Sequence, residues 1–509
     1  MNNELNKTNG LNSAKKYQLI LFPFNNGATN VYFILTSTYI AYFANGVLGL
    51  ALLFATTMVT VMRVFDGITD PIIGMLIDKT QGRFGKFRPY IILGNLIMAA
   101  ASLLLYFAAR YIPSDYMGLR YTAYIILYAV YVIGYTFQTS CTRSGLTCLT
   151  NDPKQRPLFT VFNTIASLVG MGLIQCVAAL VGGEYGYGSI KFFNIVVPLS
   201  IILSLVLTIL AMIGIWEKDR PEFYGVCHKQ EKIQVKQLFE ILKNNKELRM
   251  LIIAGAGTKL AFSIATNTTI TCMLYAAMMG NYNGLYLPMY IIGYIASAPF
   301  FLLSVKTAQK KGQKAALVNF TALALAFYTL LLGLLLFWQN GNPATILSLT
   351  NINVYTVLFV LFYAIGYGAY YCTADMSIPM IADCSDYETY RTGKYIPGII
   401  ATLFALVDKL ISSLGATVVG LSVVLIGLKE LPDTNTTYLP GMKGLVIVLF
   451  CFIPILSWII TLIAMHHYSL GGKEMEEIQA VNASRKAAIT EGMQLNEAME
   501  KWKIAGDDN

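Results

Sequence analysis

The chain has 509 residues, of which 56% are hydrophobic and 13% are charged, and its formal net charge is +9. Soluble domains contain about 25% charged residues, so this composition excludes an ordinary soluble protein and predicts an integral membrane protein. The positive charge alone would allow a nucleic-acid partner. However, the basic residues lie mainly in alternate loops between apolar stretches, so we interpret them as setting orientation in the lipid bilayer and expect no nucleic-acid partner.

Twelve apolar stretches are each long enough to cross a ~30 Å hydrocarbon core as a helix, which predicts an all-α membrane protein. A polar connection at 217–247 divides them into two six-helix halves, 17–216 and 248–467, between an N-terminal tail at 1–16 and a C-terminal tail at 468–509. The predicted spans are 17–44, 48–77, 89–109, 120–148, 158–181, 192–215, 248–279, 285–305, 315–338, 352–381, 397–428 and 444–466.

Basic loops at 79–88, 154–156 and 306–314 fall on the side of the N-terminal tail, while the intervening loops are almost uncharged. The positive-inside rule therefore predicts that both termini are cytosolic, in a multi-pass protein of the cell membrane. The eight cysteines show no metal-ligand spacing, and we expect neither a disulfide framework nor a metal cluster.

A short repeat supports two duplicated halves. The loop KTQGRFGK begins at Lys79 and KTAQKKGQK begins at Lys306, 227 residues later, and the same offset separates Gly85 from Gly312. Equal offsets in corresponding loops favour an internal duplication.

Two acids occupy one apolar helix. Asp66 and Asp70 are four residues apart, so they lie one above the other on the same helix face. An intramembrane charge costs roughly 3 kcal/mol or more, so we expect a positive partner, which can be Na⁺, a proton or a neighbouring Lys or Arg.

The stretches DGITDPIIG from Asp66, GRFGKFRP from Gly82 and IADCSDYETYRTGK from Ile381 resemble motifs of the glycoside-pentoside-hexuronide:cation symporters of the major facilitator superfamily. The resemblance runs from about Tyr17 to the C-terminal tail. It implies the major facilitator fold, with twelve transmembrane helices in two six-helix halves, and symport of a sugar or glycoside coupled to Na⁺ or H⁺.

The resemblance also implies a cation site made by Asp66, Asp70, Thr69 and Thr136, with Lys409 facing both this site and the substrate. Thr69 stands where an Asn is usual, which leaves the choice between Na⁺ and H⁺ open. In the alternative interpretation, Asp66 pairs with Arg63 or a neighbouring helix only to pack the bundle.

Substrate positions depart from the family pattern. The sugar-binding acids of spans one and four are replaced by Asn30 and Thr139, and a span-four aromatic position is Arg143. A family Arg on span five corresponds to Asn163, and the span-ten Trp position is Ala374. These replacements argue against a simple galactoside.

Additional intramembrane charges are Arg143, Lys259 and Asp375, and charges at this depth usually mark a pathway. An Arg can bind a carboxylate in a bidentate manner, so an anionic glycoside or uronide is one alternative substrate and a non-sugar ring compound is another. Arg143 and Asp375 could instead form a structural ion pair. Asp408 has no family match, and its role as a pathway acid or a structural partner is open.

Several charged residues resemble a cytosolic gate latch, in which basic residues of the loop after span two pair with acids at helix ends. The members of this predicted latch are Asp78, Arg83, Lys86 and Arg88 in the loop, and Asp152, Asp383 and Asp386 as partners. The alternative is that the basic residues only set topology.

No nucleotide-binding loop, metal-ligand cluster or nucleophile elbow occurs in the sequence, so we do not expect an enzyme or a cofactor. The competing classes are a transporter-derived receptor and a lipid carrier. We expect a monomer whose partners are a small-molecule substrate, the coupling cation and the bilayer.

Overall fold

Within the described ranges the protein consists of helices joined by turns and loops, with no β-strand beyond an isolated bridge between Gly82 and Gly85. The structure is a computed structural model and describes residues 12–80, 82–150, 155–223, 241–374, 376–393, 397–471, 473–490 and 493–502. The longer helices are α1 (Phe24–Ile34), α2 (Leu52–Lys79), α3 (Arg88–Leu103), α4 (Met117–Leu149), α5 (Gln155–Tyr185), α6 (Ile190–Ile215), α7 (Lys246–Ala265), α8 (Tyr282–Lys311), α9 (Gln313–Phe337), α10 (Val354–Thr373), α11 (Met380–Thr392), α12 (Pro397–Leu425), α13 (Ile453–His467), α14 (Lys473–Thr490) and α15 (Leu495–Lys501).

Eleven helices among the described residues are long and apolar enough to cross a membrane, and they coincide with eleven of the twelve predicted spans. The predicted first span, 17–44, is instead an interrupted series of short helices, because Pro23 ends Lys16–Leu21 and starts α1. Beyond α1 the chain continues through two π-helical segments, Leu35–Tyr39 and Phe43–Val47, on either side of Ile40–Tyr42. The all-α membrane fold is confirmed.

The predicted seventh span, 248–279, is also interrupted. The helix α7 ends at Ala265, and Asn267 then starts a new helix, Thr268–Cys272, by accepting a hydrogen bond from the Thr269 N–H. A π-helical segment, Met273–Met278, follows. Interrupted segments in corresponding spans of two halves are a feature of transporter binding sites, so spans one and seven are candidates for substrate-facing segments.

The described residues form two compact units that cut across the predicted halves. Unit 1 comprises Met1–Gln230, Asn267–Leu287 and Ala416–Met442, and unit 2 comprises Glu231–Thr266, Pro288–Gly415 and Lys443–Asn509. The division into 17–216 and 248–467 stays a prediction. Within the predicted connection 217–247, residues 224–240 lie outside the described residues.

In unit 1, α1 packs against α5 and α6, while α4 packs against both α2 and α3. A core of buried side chains that includes Phe22, Ile77 and Phe159 holds these helices together. In unit 2, α7 packs along α13 and α9 packs along α10. In unit 1, α2 therefore lies beside α4. In unit 2, α7 also contacts α12, where Gly255 lies against Phe404.

The predicted repeat has a backbone counterpart. Gly85 and Gly312 both take a positive φ, +91° and +88°, a conformation that suits glycine because it has no Cβ. The second loop differs from the first because Lys306 lies within α8 and the loop is reduced to a turn at Gly312.

The C-terminal tail packs against unit 2. The buried side chains of Met475 and Ile478 on α14 join the hydrophobic core of unit 2. Arg485, also on α14, donates a hydrogen bond of 2.6 Å from Nη1 to the Tyr390 carbonyl on α11. These contacts make α14 part of the packing around α11.

Candidate cation and substrate site

Asp66, Thr69 and Thr136 meet inside unit 1, as the resemblance implied. The Thr136 hydroxyl on α4 donates to Asp66 Oδ1 at 2.8 Å, and the Thr69 and Thr136 hydroxyl oxygens are 3.1 Å apart. Asp66 is 1% exposed and Thr136 is fully buried. Because Thr69 follows Asp66 by three residues, both side chains lie on the helix face that meets α4. Carboxylate and hydroxyl oxygens are ligands that suit a hard cation, and the carboxylate can bind a proton instead.

Arg63 also contacts Asp66, so the packing alternative describes a contact that is present. Its Nη1 lies 3.4 Å from Asp66 Oδ2, and its guanidinium carbon is 4.4 Å from the centre of the Phe33 ring and 5.6 Å from that of Tyr135. Thus one carboxylate oxygen faces a hydroxyl and the other faces a cation. Arg63 and Asp66 line a small cavity of about 20 Å³ with Thr36, Met62, Tyr128, Tyr131, Val132 and Tyr135. Such a volume holds about one water molecule.

The other two predicted members of the cation site lie farther along the chain. Asp70 is half-buried on α2, one turn beyond Asp66. Lys409 is half-buried on α12 and belongs to unit 2, so its grouping with Asp66 stays a prediction.

Among the predicted substrate residues of unit 1, Asn30 and Asn163 are linked through Asn26. Asn30 donates to the Asn26 carbonyl at 2.8 Å, and Asn26 donates to the Asn163 carbonyl at 3.3 Å. The Asn163 side-chain oxygen is buried and has no hydrogen-bond partner among the described residues, so it can accept from a substrate hydroxyl. Thr139 uses its hydroxyl to donate to the Tyr135 carbonyl.

In unit 2 the structure pairs two charges that the sequence left unpaired. Lys259 on α7 lies 3.9 Å from Asp408 on α12, measured from Nζ to Oδ1. The open question about Asp408 is thus answered in part, since it has a cationic neighbour on another helix. The predicted alternative ion pair is Arg143 with Asp375, and both Asp375 and the side chain of Arg143 lie outside the described residues.

The loop after α2 is held by an acid that sequence reasoning did not single out. Asp219, fully buried beyond the end of α6, accepts hydrogen bonds from the backbone N–H groups of Lys86, Phe87 and Arg88. The Arg88 side chain adds an ion pair to Asp219 at 3.3 Å and donates to its carbonyl at 3.0 Å. The carboxylate thereby binds the start of α3, where unpaired N–H groups and the helix dipole favour a negative charge.

The remaining members of the predicted latch belong to different parts of the chain. Lys86 is buried and Arg83 is exposed, whereas Asp152 and the side chain of Asp78 lie outside the described residues. The predicted partners Asp383 and Asp386 lie on α11 in unit 2, and their pairing with the loop stays a prediction. Asp386 instead accepts a hydrogen bond from Gln479 of α14 at 3.3 Å.

Burial, with a contribution from the nearby Asp386 carboxylate, raises the pKa of Asp383 from 3.8 to about 6. The folded protein therefore binds this proton more tightly than the unfolded chain, and the stabilisation it gives at low pH is lost as pH rises from about 4 to 6. We expect Asp383→Asn to raise the apparent Tm at pH 7 and to flatten its pH dependence over that window. Thermal unfolding in detergent from pH 4 to 8 measures the Tm of each variant, with Glu476→Gln, at an exposed acid, as the control. A lower Tm for Asp383→Asn than for the wild type at pH 7 contradicts the prediction.

The family profile described as MFS/sugar transport protein matches residues 24–472 of the chain. Among curated relatives, the inner membrane symporter YicJ of Escherichia coli is 24% identical over 479 residues, covering 91% of this chain and 94% of that protein. The isoprimeverose transporter of Lactiplantibacillus pentosus is 23% identical over 396 residues and covers 77% of each chain.

Solved structures share the fold. The fucose:proton symporter of E. coli superposes with a TM-score of 0.52 at 12% identity, covering 89% of this chain and 98% of that chain. At this identity the likeness establishes the architecture alone, and it confirms the predicted major facilitator fold.

Proposed function

Because this chain belongs to the MFS/sugar transport protein family, we propose that it is a secondary active transporter that couples uptake of a sugar or glycoside to entry of Na⁺ or H⁺. The observation that carries the coupling is the buried Asp66 carboxylate, which accepts a hydrogen bond from Thr136 on a neighbouring membrane helix at 2.8 Å. The names of the relatives, a symporter and a sugar transporter, favour transport over receptor, lipid-carrier or enzymatic function. We expect no cofactor besides the coupling ion.

In the proposed mechanism, the cation competes with Arg63 for Asp66. When Na⁺ or H⁺ binds at Asp66, the negative charge is neutralised and the contact at 3.4 Å between Arg63 and Asp66 weakens. Arg63 is then held chiefly by Phe33 and Tyr135. Asp70, Thr69 and Lys409 complete the site, and the site alternates in access between the two sides of the membrane.

Cation and substrate must assist each other's binding by the same factor, since the coupling free energy between two sites is reciprocal. A membrane potential that is negative inside adds about 2.3 kcal/mol per charge per 100 mV to the driving force. We place both termini in the cytosol of a cell-membrane protein, on the basis of the basic loops. In this orientation, the membrane face that carries the basic loops is the cytosolic face, where the substrate is released.

The test is uptake into proteoliposomes that contain the purified protein, with radiolabelled methyl β-galactoside, β-glucoside and β-xyloside as probes. We expect accumulation of at least one probe against its gradient when an inward Na⁺ or H⁺ gradient is imposed. The imposed gradient that supports accumulation identifies the ion, and collapsing that gradient, with gramicidin for Na⁺ or a protonophore for H⁺, should abolish accumulation. If all probes merely equilibrate at the same rate with and without an ion gradient, coupled symport is refuted.

A further inference from the structure

The sugar-binding carboxylates expected in the first half are absent from this chain. Asn30 and Thr139 stand at those positions, and both donate hydrogen bonds to backbone carbonyls of their own helices, at 2.8 and 2.9 Å. Sugar hydroxyls are recognised best by charged acceptors, because a hydrogen bond to a charged group is about twice as strong as a neutral one. The carboxylate that fits a hydroxylated substrate must therefore come from elsewhere.

Asp408 is such a carboxylate, placed within the membrane-spanning part of unit 2. Its side chain keeps 29% of its surface accessible, and that of its partner Lys259 keeps 19%. The Nζ to Oδ1 distance of 3.9 Å exceeds the 2.7–3.2 Å range of an N–H···O hydrogen bond. A hydroxyl group that reaches both residues can donate to the carboxylate and accept from the ammonium group.

An aromatic surface continues from this pair along α7. Phe262, three residues after Lys259, lies 5.5 Å from Tyr371 of α10 between ring centres. Tyr371 lies 5.3 Å from Tyr294 of α8, and its hydroxyl donates to that of Tyr294 at 3.2 Å. All three rings are only half-buried. Residues three apart share a helix face, so Lys259 and Phe262 present the charge pair and the rings side by side.

Tyr371 also lies one turn before Ala374, the position where the aromatic residue expected in span ten is missing. A tyrosine ring offers an apolar face for the C–H face of a sugar ring and a hydroxyl at its edge. A stacking role for Tyr371 places the aromatic group about one turn before the Ala374 position, which follows the end of α10.

We propose that the Lys259–Asp408 pair and the Tyr294–Tyr371 pair form a glycoside-binding subsite of unit 2, in which the charged pair binds ring hydroxyls and Tyr371 stacks on the sugar. This inference rests on the proposed transport function and moves the principal carboxylate contact from the first half of the chain to Asp408. Because the principal contact is a carboxylate, which repels another carboxylate, the subsite favours a neutral glycoside over a uronide.

The first experiment compares Asp408→Asn, Lys259→Met and the double variant in the proteoliposome assay, with the methyl glycoside that the wild type accumulates best and with phenyl β-glucuronide. We expect KM for the neutral probe to rise about tenfold or more in Asp408→Asn and to stay raised in the double variant. A purely structural ion pair predicts the reverse for the double variant, since removal of both charges leaves neither one unpaired. A double variant with the wild-type KM therefore overturns the proposal, as does a lower wild-type KM for the glucuronide than for the neutral probe.

The second experiment separates stacking from hydrogen bonding at Tyr371. Tyr371→Phe keeps the ring, and we expect its KM within about threefold of the wild type, whereas Tyr371→Ala should raise KM about tenfold. Equal KM values for all three proteins overturn the stacking role.

A separate readout distinguishes failure of this subsite from failure of transport itself. Thermal stabilisation by Na⁺, or by lowered pH in an Asp383→Asn background, reports the cation site at Asp66 when measured without sugar. It should be retained in every one of these variants. If the wild type accumulates no probe, the transport proposal and the subsite fail together. If it accumulates a probe and Asp408→Asn does so with an unchanged KM, the subsite alone is refuted.

Discussion

Asp66→Asn proteoliposomes are expected to lose accumulation of substrate against its gradient, while downhill flux of the same substrate persists. The amide oxygen of Asn can still accept the hydrogen bond that Thr136 donates at 2.8 Å, so the local packing of α2 against α4 is retained. The amide has no negative charge, however, and it cannot bind a proton or balance a cation. Without the charge, no ion gradient can be transmitted to the substrate at this position.

The same substitution leaves Arg63 beside a neutral group, and this has to be separated from the loss of coupling. Arg63 is held by Asp66 at 3.4 Å and by the Phe33 ring at 4.4 Å, and removing one partner of a buried pair is destabilising. The double variant Arg63→Gln, Asp66→Asn removes both charges and should recover thermal stability without recovering accumulation. Asp115→Asn, at an exposed acid between α3 and α4, controls for the loss of a negative charge.

Two further measurements test the roles proposed for Asp66 and Thr136 in cation coupling. Thr136→Val keeps the shape of the side chain and removes the hydroxyl, so it should weaken the apparent cation affinity by about tenfold while accumulation remains measurable at high cation concentration. Accumulation by Asp66→Asn at the wild-type level, measured at the same ion gradient and protein density, contradicts the role proposed for Asp66.

The contact among Asp66, Thr69 and Thr136 could be anticipated from the sequence, while their role as a cation site stays a prediction. Asp66 and Thr69 are three residues apart on one helix, and the family resemblance identifies Thr136 as the third member. The contact between α2 and α4 is therefore the only one in this group that joins residues far apart in the sequence. Arg63 was also visible as a possible partner by its spacing. Its position against Phe33 and Tyr135 was not, since that depends on how α1 and α4 pack against α2.

Ion pairs between residues far apart in the chain could not be predicted from the sequence. Asp219 lies in a polar connection and contacts Arg88, which stands 131 positions earlier in the sequence. In unit 2, Lys259 pairs with Asp408, which is separated from it by a similar number of residues. Hydropathy also missed the interruptions in spans one and seven. Apolar residues continue on both sides of Pro23 and Asn267, so the mean hydropathy over a window stays high. Pro23 nevertheless lacks a backbone N–H, and Asn267 leaves the helical conformation.

Asp219→Asn is expected to be the most destabilising single substitution in unit 1 outside its apolar core. Asp219 is fully buried and accepts from three consecutive backbone N–H groups at the start of α3, with Arg88 as its ionic partner. An Asn at this position turns one acceptor oxygen into a donor facing N–H groups, and it leaves Arg88, itself only 12% exposed, without a counter-charge. Breaking a buried pair in this way costs about 3–5 kcal/mol.

Glu217→Gln provides a matched control on the same segment. Glu217 forms an ion pair with Lys15 at 2.8 Å, but the two side chains are 47% and 57% exposed, so its loss should cost no more than about 1 kcal/mol. Thermal unfolding in detergent and the yield of monodisperse protein measure both variants. Arg88→Gln combined with Asp219→Asn should restore part of the lost Tm, because no buried cation then lacks a partner. If Asp219→Asn and Glu217→Gln lower the Tm equally, Asp219 does not hold the loop in the way that its hydrogen bonds with the Lys86, Phe87 and Arg88 N–H groups indicate.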